Sequence, residues 1–219
     1  MPERATTGQH AFLLKQVLAL RGINAESRVL DIGCGSGAWL RRLHDAGLSD
    51  LIGIDLRPGP NAAKYGRIVI GDIADTYDDV AIDGPFDLVT VIEVIEHVRD
   101  PELLISFAAQ RMKSDGWIIV TTPNIYSLRA RLRFLINRKL VWFEQPANSE
   151  PDHTHPVVLE SYSRNIFGRL GLRIERICSY PENGSDGTRW ALRLATRAIA
   201  TVIADPLPGD SLCLMLRRA

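Results

Sequence analysis

The amino-acid sequence predicts a doubly wound α/β fold, built on a mostly parallel seven-stranded sheet with helices on both faces. Three observations predict it. Seven short apolar runs punctuate the chain, segments of helical character separate the first five, and a glycine-rich turn closes the first run. Strands joined by crossovers pair in parallel, and right-handed crossovers then place helices on both sides of the sheet.

The elements follow in order. Ala11, Leu13, Leu14, Val17, Leu18 and Leu20 recur at helical spacing before Gly22, which reads as a covering helix with its stop. Five runs with strand character come next, at Arg28 to Ile32, Leu51 to Asp55, Arg67 to Ile70, Phe86 to Ile92 and Trp117 to Thr121. A basic and apolar stretch from Ser127 to Phe143 follows, then a polar loop from Gln145 to Pro156 and a helix around Val158 to Leu170. Two late strands are predicted at Leu172 to Cys178 and Ser211 to Leu216, with a helical insertion from Thr188 to Ala204 between them. No repeat or linker marks a boundary, so a single domain over 1–219 is expected, with a ligand-binding core at 26–125 and substrate-side segments at 126–170 and 179–209.

Bulk properties exclude several classes. With 219 residues, 46% of them hydrophobic and 24% charged, the chain has the composition of an ordinary globular protein. Its formal charge is zero, which disfavours a generic nucleic-acid binder. Cys34, Cys178 and Cys213 form no CxxC pair, so neither a zinc knuckle nor a disulfide scaffold is expected. Met1 to Gly8 is charged rather than apolar, and no later run could span a bilayer; a cytoplasmic location is the expectation.

The turn Val29-Leu30-Asp31-Ile32-Gly33-Cys34-Gly35-Ser36-Gly37 ends the first strand and opens a helix, where glycines let backbone approach a ligand. Gly33, Gly35 and Ala38 satisfy a relaxed dinucleotide fingerprint, and Asp55 lies where a ribose-binding acid is expected. A nicotinamide or flavin oxidoreductase therefore stays open, as does a non-binding fold with turn glycines and capping acids. Asp31 weighs the other way, because a carboxylate at this loop suits a cationic amino group and repels a pyrophosphate. Gly71-Asp72-Ile73, after the third strand, pairs an acid that can accept from an adenine amino group with an apolar side chain that can pack on the ring.

The series VLDIGCGSG, IGIDL, GDIAD, FDLVTVIEVIEHVRDP and GWIIVTTPN resembles the class I S-adenosylmethionine-dependent methyltransferases over about residues 26 to 125, with the five motifs in family order. The resemblance implies a Rossmann-like sheet whose last strand is antiparallel, and S-adenosylmethionine as cofactor. It assigns the methionine part to Gly33, Gly35 and Gly37 with Asp31, the ribose to Asp55 with Leu56 beside it, and the adenine to Asp72 and Ile73.

Residues after the fourth strand are placed to meet an acceptor. Methyl transfer from a sulfonium needs an aligned nucleophile, a dry site and, for a hydroxyl acceptor, a base; His97 is the first candidate for that base and Glu93 the second. The run Glu93-Val94-Ile95-Glu96-His97 is similar to ubiquinone-biosynthesis O-methyltransferases and to small-RNA 3′-terminal 2′-O-methyltransferases. In the latter this pattern holds a divalent metal with one later histidine, a part His153 or His155 would take here. No metal is expected, because magnesium prefers oxygen ligands; Glu93, Glu96, His97 and His153 are the donors should one bind. Glu96 and His97 read equally as an ordinary helix start. Asn124, after the fifth strand, is expected to line the pocket, with an Asx turn as its plain alternative. His155 is the substrate-side histidine.

Arg129, Arg131, Arg133, Arg138 and Lys139 lie among apolar residues, and Arg189, Arg193 and Arg197 repeat the theme. Such basic amphipathic segments suit an anionic or lipid-linked acceptor and a peripheral membrane contact, or else form a solvated face. The stretch Thr121 to Phe143 is similar to that of bacterial methyltransferases acting on sugars or lipid-linked saccharides. Cys34 reads as a small filler and Trp39 as core. The expectation is an O-methyltransferase acting on a small-molecule, lipid or saccharide acceptor. A metal-dependent RNA 2′-O-methyltransferase, a dinucleotide oxidoreductase and a non-catalytic S-adenosylmethionine-binding protein are the alternatives.

Overall fold

The computed structural model describes residues 8–72, 82–140, 142–143, 153–180 and 207–219. Among them seven strands form one sheet: β1 (Arg28–Ile32), β2 (Asp50–Asp55), β3 (Arg67–Ile70), β4 (Phe86–Ile92), β5 (Met112–Pro123), β6 (Leu172–Tyr180) and β7 (Ser211–Arg218). The order is β3-β2-β1-β4-β5-β7-β6. The first five strands pair in parallel, while β7 runs antiparallel to both β5 and β6. The predicted architecture is therefore observed, including the reversed last strand.

Two apolar layers hold the sheet. On one face, helices α1 (Gln9–Leu18) and α2 (Ala38–Asp45) place Leu13, Val17, Trp39, Leu40 and Leu43 against Val29, Leu51, Leu88 and Ile119. On the other, α3 (Pro101–Arg111) and the Val157–Phe167 segment cover Leu30, Ile54, Val89, Val120 and Leu214. Period-2 alternation along each buried strand sends its side chains to both layers in turn.

Local chemistry sets the element ends. α3 begins where the Asp100 carboxylate accepts from the Leu103 amide at 2.9 Å and Pro101 occupies the first turn. The helix α4 (Leu128–Asn137) starts where the Ser127 hydroxyl accepts from the Ala130 amide at 3.2 Å. The predicted late helix is a short α-helix, α5 (Leu159–Tyr162), that widens into a π-helical turn over Ser163–Phe167.

Two expectations change. Between β2 and β3 the helical segment shrinks to a 3₁₀ turn at Ala62–Lys64, because Pro58, Gly59 and Pro60 interrupt any α-helix there. The fifth strand begins five residues earlier than its apolar run, at Met112, directly after α3. The insertion expected at Thr188 to Ala204 lies outside the described residues.

Candidate functional site

The parallel strands align their carboxyl ends along one rim, and the glycine turn lies in its middle. Gly37 adopts φ 76°, and a Cβ there would meet the Ala62 Cα at 2.7 Å, so only glycine lets the turn pass into α2. Gly33, at φ 79°, is packed as closely against Val94. Four amides of this turn are already engaged. Gly33 and Cys34 donate to the Ile54 carbonyl at 2.8 and 3.0 Å, Gly37 donates to the Cys34 carbonyl at 2.9 Å, and Gly35 donates to the Asp55 carboxylate at 2.7 Å.

Acids occupy the places where a phosphate-binding loop would present N–H groups. Asp31 is 2% exposed, and Thr90, beside it on β4, donates its hydroxyl to the Asp31 carboxyl at 2.7 Å. Burial raises its pKa from 3.8 to about 7; the Thr90 hydrogen bond works against that shift, and the Asp55 charge adds to it. The two Asp55 oxygens accept from Gly35 and, at 2.8 Å, from the Arg57 amide, which fixes the carboxylate at the end of β2. Asp72 follows β3, half-buried, while Leu56 is exposed. Ile73 lies outside the described residues. Cys34 is buried, and burial together with Asp31 and Asp55 pushes its thiol up, in keeping with a filler rather than a nucleophile. Trp39 is core, as expected.

The segment after β4 is built by long-range contacts. Glu93 adopts a left-handed φ of 52°, a strained conformation for a side chain other than glycine. Its amide donates to the carbonyl and hydroxyl of Thr121 at 3.2 and 3.1 Å, and its carboxylate accepts from the Gln9 side chain at 2.8 Å. The first turn of α1 thus closes over the candidate acid. Glu96 is 0% exposed, and among the described residues neither carboxylate oxygen has a hydrogen bond of good geometry. Burial raises both acids; the Glu93 charge raises Glu96 further, while the Gln9 hydrogen bond opposes the rise at Glu93. Tyr162, near Glu96, is pushed up to about 12 by burial and by that carboxylate.

The end of the polar loop, from His153 on, docks onto this turn. The Glu96 carbonyl accepts from the Thr154 amide at 2.7 Å, from the Thr154 hydroxyl at 3.0 Å and from the His155 amide at 3.2 Å. The docked loop puts the His153 ring 4.6 Å from that of His97, with Phe143 5.4 Å from His153 on another side. Glu96, His97 and His153 offer ligand atoms within 4.8 Å of one another. A buried carboxylate with two imidazoles is a donor set for manganese or zinc rather than magnesium, so these residues fit a divalent transition metal. Glu93 stands outside this trio, held by Gln9. Of the two loop histidines, His153 joins His97, and His155 contributes its backbone.

Asn124 takes the Asx turn that was its alternative reading. It is 0% exposed; its side-chain amide donates to the carbonyls of Leu207 and Gly209 at 2.9 and 2.7 Å, and its oxygen accepts from Tyr126 at 2.9 Å. It ties the exit of β5 to the approach of β7. The basic helix is also partly structural: Arg129 pairs with Asp210 at 3.0 Å. Beyond it, residues 131 to 139 are all exposed. The residues that carry the site without a local signal are Gln9, Thr90 and Thr154.

A doubly wound sheet with acids, rather than free amides, around its glycine turn defines a protein that receives a cationic, hydroxyl-bearing ligand at the strand ends. The model of the methyltransferase domain matches residues 7–177, and the chain belongs to this family of class I S-adenosylmethionine-dependent methyltransferases. It is 32% identical over 120 residues to a ubiquinone biosynthesis O-methyltransferase of Bordetella avium, covering 51% of this chain and 48% of the relative. It is 30% identical over 176 residues to one of Albidiferax ferrireducens, covering 71% and 64%. The chain thus spans about half the length of the first of these relatives. In fold it is similar to a SAM-dependent methyltransferase from Archaeoglobus fulgidus, with a TM-score of 0.60 and 22% identity over 96% of this chain and 93% of the other.

Three hydrogen bonds from a fully buried side chain make Asn124 a strut, and its loss leaves backbone groups unpaired. Asn124→Ala is expected to lower the unfolding free energy in urea by about 3 kcal/mol and to leave S-adenosylhomocysteine affinity unchanged. A stable variant with weakened ligand binding would restore Asn124 to the pocket.

Proposed function

We propose that this protein transfers a methyl group from S-adenosylmethionine to a hydroxyl of a small-molecule acceptor of the quinol, lipid or saccharide class. The observation that carries the reading is the saturation of the glycine turn. With four of its amides spent inside the protein, the Asp31 carboxyl buried on β1 just before it and Asp55 bonded to it, the turn suits an ammonium group and sugar hydroxyls and disfavours a diphosphate. This argues against a dinucleotide oxidoreductase. In the proposed complex Asp31 pairs with the methionine ammonium beneath Gly33, Gly35 and Gly37. Asp55 accepts from the ribose hydroxyls next to Leu56, and Asp72, with Ile73, meets the adenine.

Acceptor chemistry falls to the turn after β4. His97 takes the acceptor proton as the methyl moves in line from sulfur to oxygen, while Glu93, oriented by Gln9, positions the hydroxyl and the buried pair with Glu96 retains a proton. With a divalent ion held instead by Glu96, His97 and His153, His97 and Glu96 would be its deprotonated ligands rather than proton carriers, and the ion would supply Lewis-acid polarisation of the acceptor oxygen. A non-catalytic cofactor-binding protein does not require ionisable groups gathered in this way. The ubiquinone-biosynthesis relatives support the quinol class first. A cytoplasmic location is part of the proposal; no helix among the described residues is long and apolar enough to cross a membrane.

The exposed end of α4 supports a further element of the reading, a peripheral contact with anionic lipid that brings the site to a membrane-held acceptor. Leu135 and Ile136 are 78% and 75% exposed, and Phe134 and Trp142 are also exposed. Arg133, Arg138 and Lys139 lie in the same stretch, a combination suited to an anionic interface.

A screen with methyl-labelled cofactor against quinol, saccharide, lipid and RNA pools tests the activity, and label in a quinol or saccharide hydroxyl is the expected result. Label in RNA alone would replace the acceptor class, and stabilisation by NAD(H) but not by S-adenosylhomocysteine would overturn the reading. Asp55→Ala is expected to weaken S-adenosylhomocysteine binding about 10- to 100-fold. His97→Ala should leave that affinity within about threefold and slow turnover by about 100-fold or more. Vesicles containing phosphatidylglycerol should co-float with the wild-type protein and much less with a variant carrying Arg133→Glu, Leu135→Asp and Ile136→Asp. Equal flotation of the two proteins contradicts the lipid contact.

A further inference from the structure

Two of the chain's three cysteines face each other across the antiparallel pair at the far edge of the sheet. From Arg176 to Tyr180 the β6–β7 register runs without interruption, and within it Cys178 pairs directly with Cys213. Directly opposed residues of antiparallel strands project to the same face, with Cα atoms about 4.5 or 5.5 Å apart depending on the pair type. Both separations fall inside the window of about 4.4 to 6.8 Å that a disulfide spans. The thiols are also hydrogen-bonded to one another, so the two sulfurs are neighbours without any movement of the backbone. Neither is in a disulfide; Cys178 is half-buried and Cys213 buried, and the third cysteine, Cys34, lies in the glycine turn.

We propose that Cys178 and Cys213 form a reversible thiol-oxidation site, closed by peroxide-class oxidants into a disulfide that bridges β6 and β7. The half-buried Cys178 reacts first. Its thiolate attacks the peroxide O–O bond to give a sulfenic acid and, after protonation, one water; the Cys213 sulfur then displaces hydroxide from that sulfenic acid, and the thiol proton leaves with it as a second water. Two thiols lose two electrons and two protons, and hydrogen peroxide accepts both. The order follows from access, since Cys213 is enclosed and its hydrogen bond to Cys178, then burial, push its thiol up. Once Cys178 is oxidised, its resolving partner is already in place, which protects it from further oxidation.

The location gives the bond a route to the site. Cys213 pairs on its other side with Thr121, whose carbonyl and hydroxyl accept from the Glu93 amide. Two residues beyond Cys178, Tyr180 stacks on Phe12 of α1 at 5.2 Å, and α1 carries Gln9 to Glu93. A bond at this row therefore ties together the strands that support both sides of Glu93.

The test is intact-mass and peptide analysis of the full chain, reduced with a phosphine, cleared of reductant and treated with hydrogen peroxide. The proposal expects the loss of two hydrogens and one peptide pair joined through Cys178 and Cys213. It further expects Cys34 to be still alkylatable after denaturation, with complete reversal by reductant. Closure constrains the unfolded chain between the two positions, so the oxidised form should melt about 5 to 10 °C higher. Cys178→Ser should show no such mass loss, and Cys34→Ser should behave as wild type. A cross-link to Cys34, a covalent dimer through Cys178, accumulation of sulfinic or sulfonic acid in place of the cross-link, or no reaction where a small free thiol is fully oxidised would each overturn the proposal.

Discussion

A carboxyl buried under the glycine turn is the constraint on which the rest of this protein depends. Asp31 sits in a central strand with almost no contact with water, and desolvation disfavours its ionised form enough to raise its pKa to about 7. Thr90 offers it one hydrogen bond, while Asp55 adds like charge nearby. Because the folded value stands above the ordinary 3.8, the carboxyl's contribution to stability is fully present below the unfolded value and is lost as the pH rises through about 7. The unliganded rim is in this sense short of positive charge. A ligand bringing an ammonium group relieves that deficit, and a diphosphate deepens it, with most of the turn's amides already bonded within the protein. Recognition here lies in the electrostatics of the rim as much as in its shape.

On the acceptor side, a strained backbone is held by remote parts of the chain. The left-handed Glu93 persists because Thr121 holds its amide and Gln9 its carboxylate. The His153–His155 loop docks by three hydrogen bonds on a single carbonyl, that of Glu96, which carries His153 to His97. Strain of this kind is kept where the surroundings over-determine it, and here it gathers two acids and two imidazoles in a turn where Glu96 is fully enclosed and the other three are half-buried. Such an arrangement favours proton transfer over solvent exchange, the requirement of a methyl acceptor that must lose a proton as it reacts.

Much of this was legible in the sequence, and the reason is locality. The seven strands, the glycine turn and the acids at the ends of β1, β2 and β3 follow from patterns a few residues wide, and parallel topology then brings the strand ends to one rim. The return of the histidine segment was legible as well, because only two histidines, His153 and His155, lie beyond His97. Non-local features were not. Gln9 lies 84 positions from Glu93, and nothing in the first turn of an amphipathic helix marks it as a partner for a distant acid. Asn124 stayed open between two readings because a polar residue at a strand end looks the same whether it faces a ligand or a neighbouring loop; its bonds to the carbonyls of Leu207 and Gly209 come from a distant part of the chain. Pro58, Gly59 and Pro60 carried a signal against a helix after β2 that the α/β rhythm overrode.

The central claim is that an ionised Asp31 receives the amino group of the ligand. Calorimetric titration with S-adenosylhomocysteine near pH 6.5, in buffers of different ionisation heats, measures the proton that this pairing must expel. The account predicts release of more than about half a proton for the wild-type protein, falling towards none at pH 8.5 and in Asp31→Asn. Binding without proton release at the lower pH, or the same release from Asp31→Asn, would contradict it.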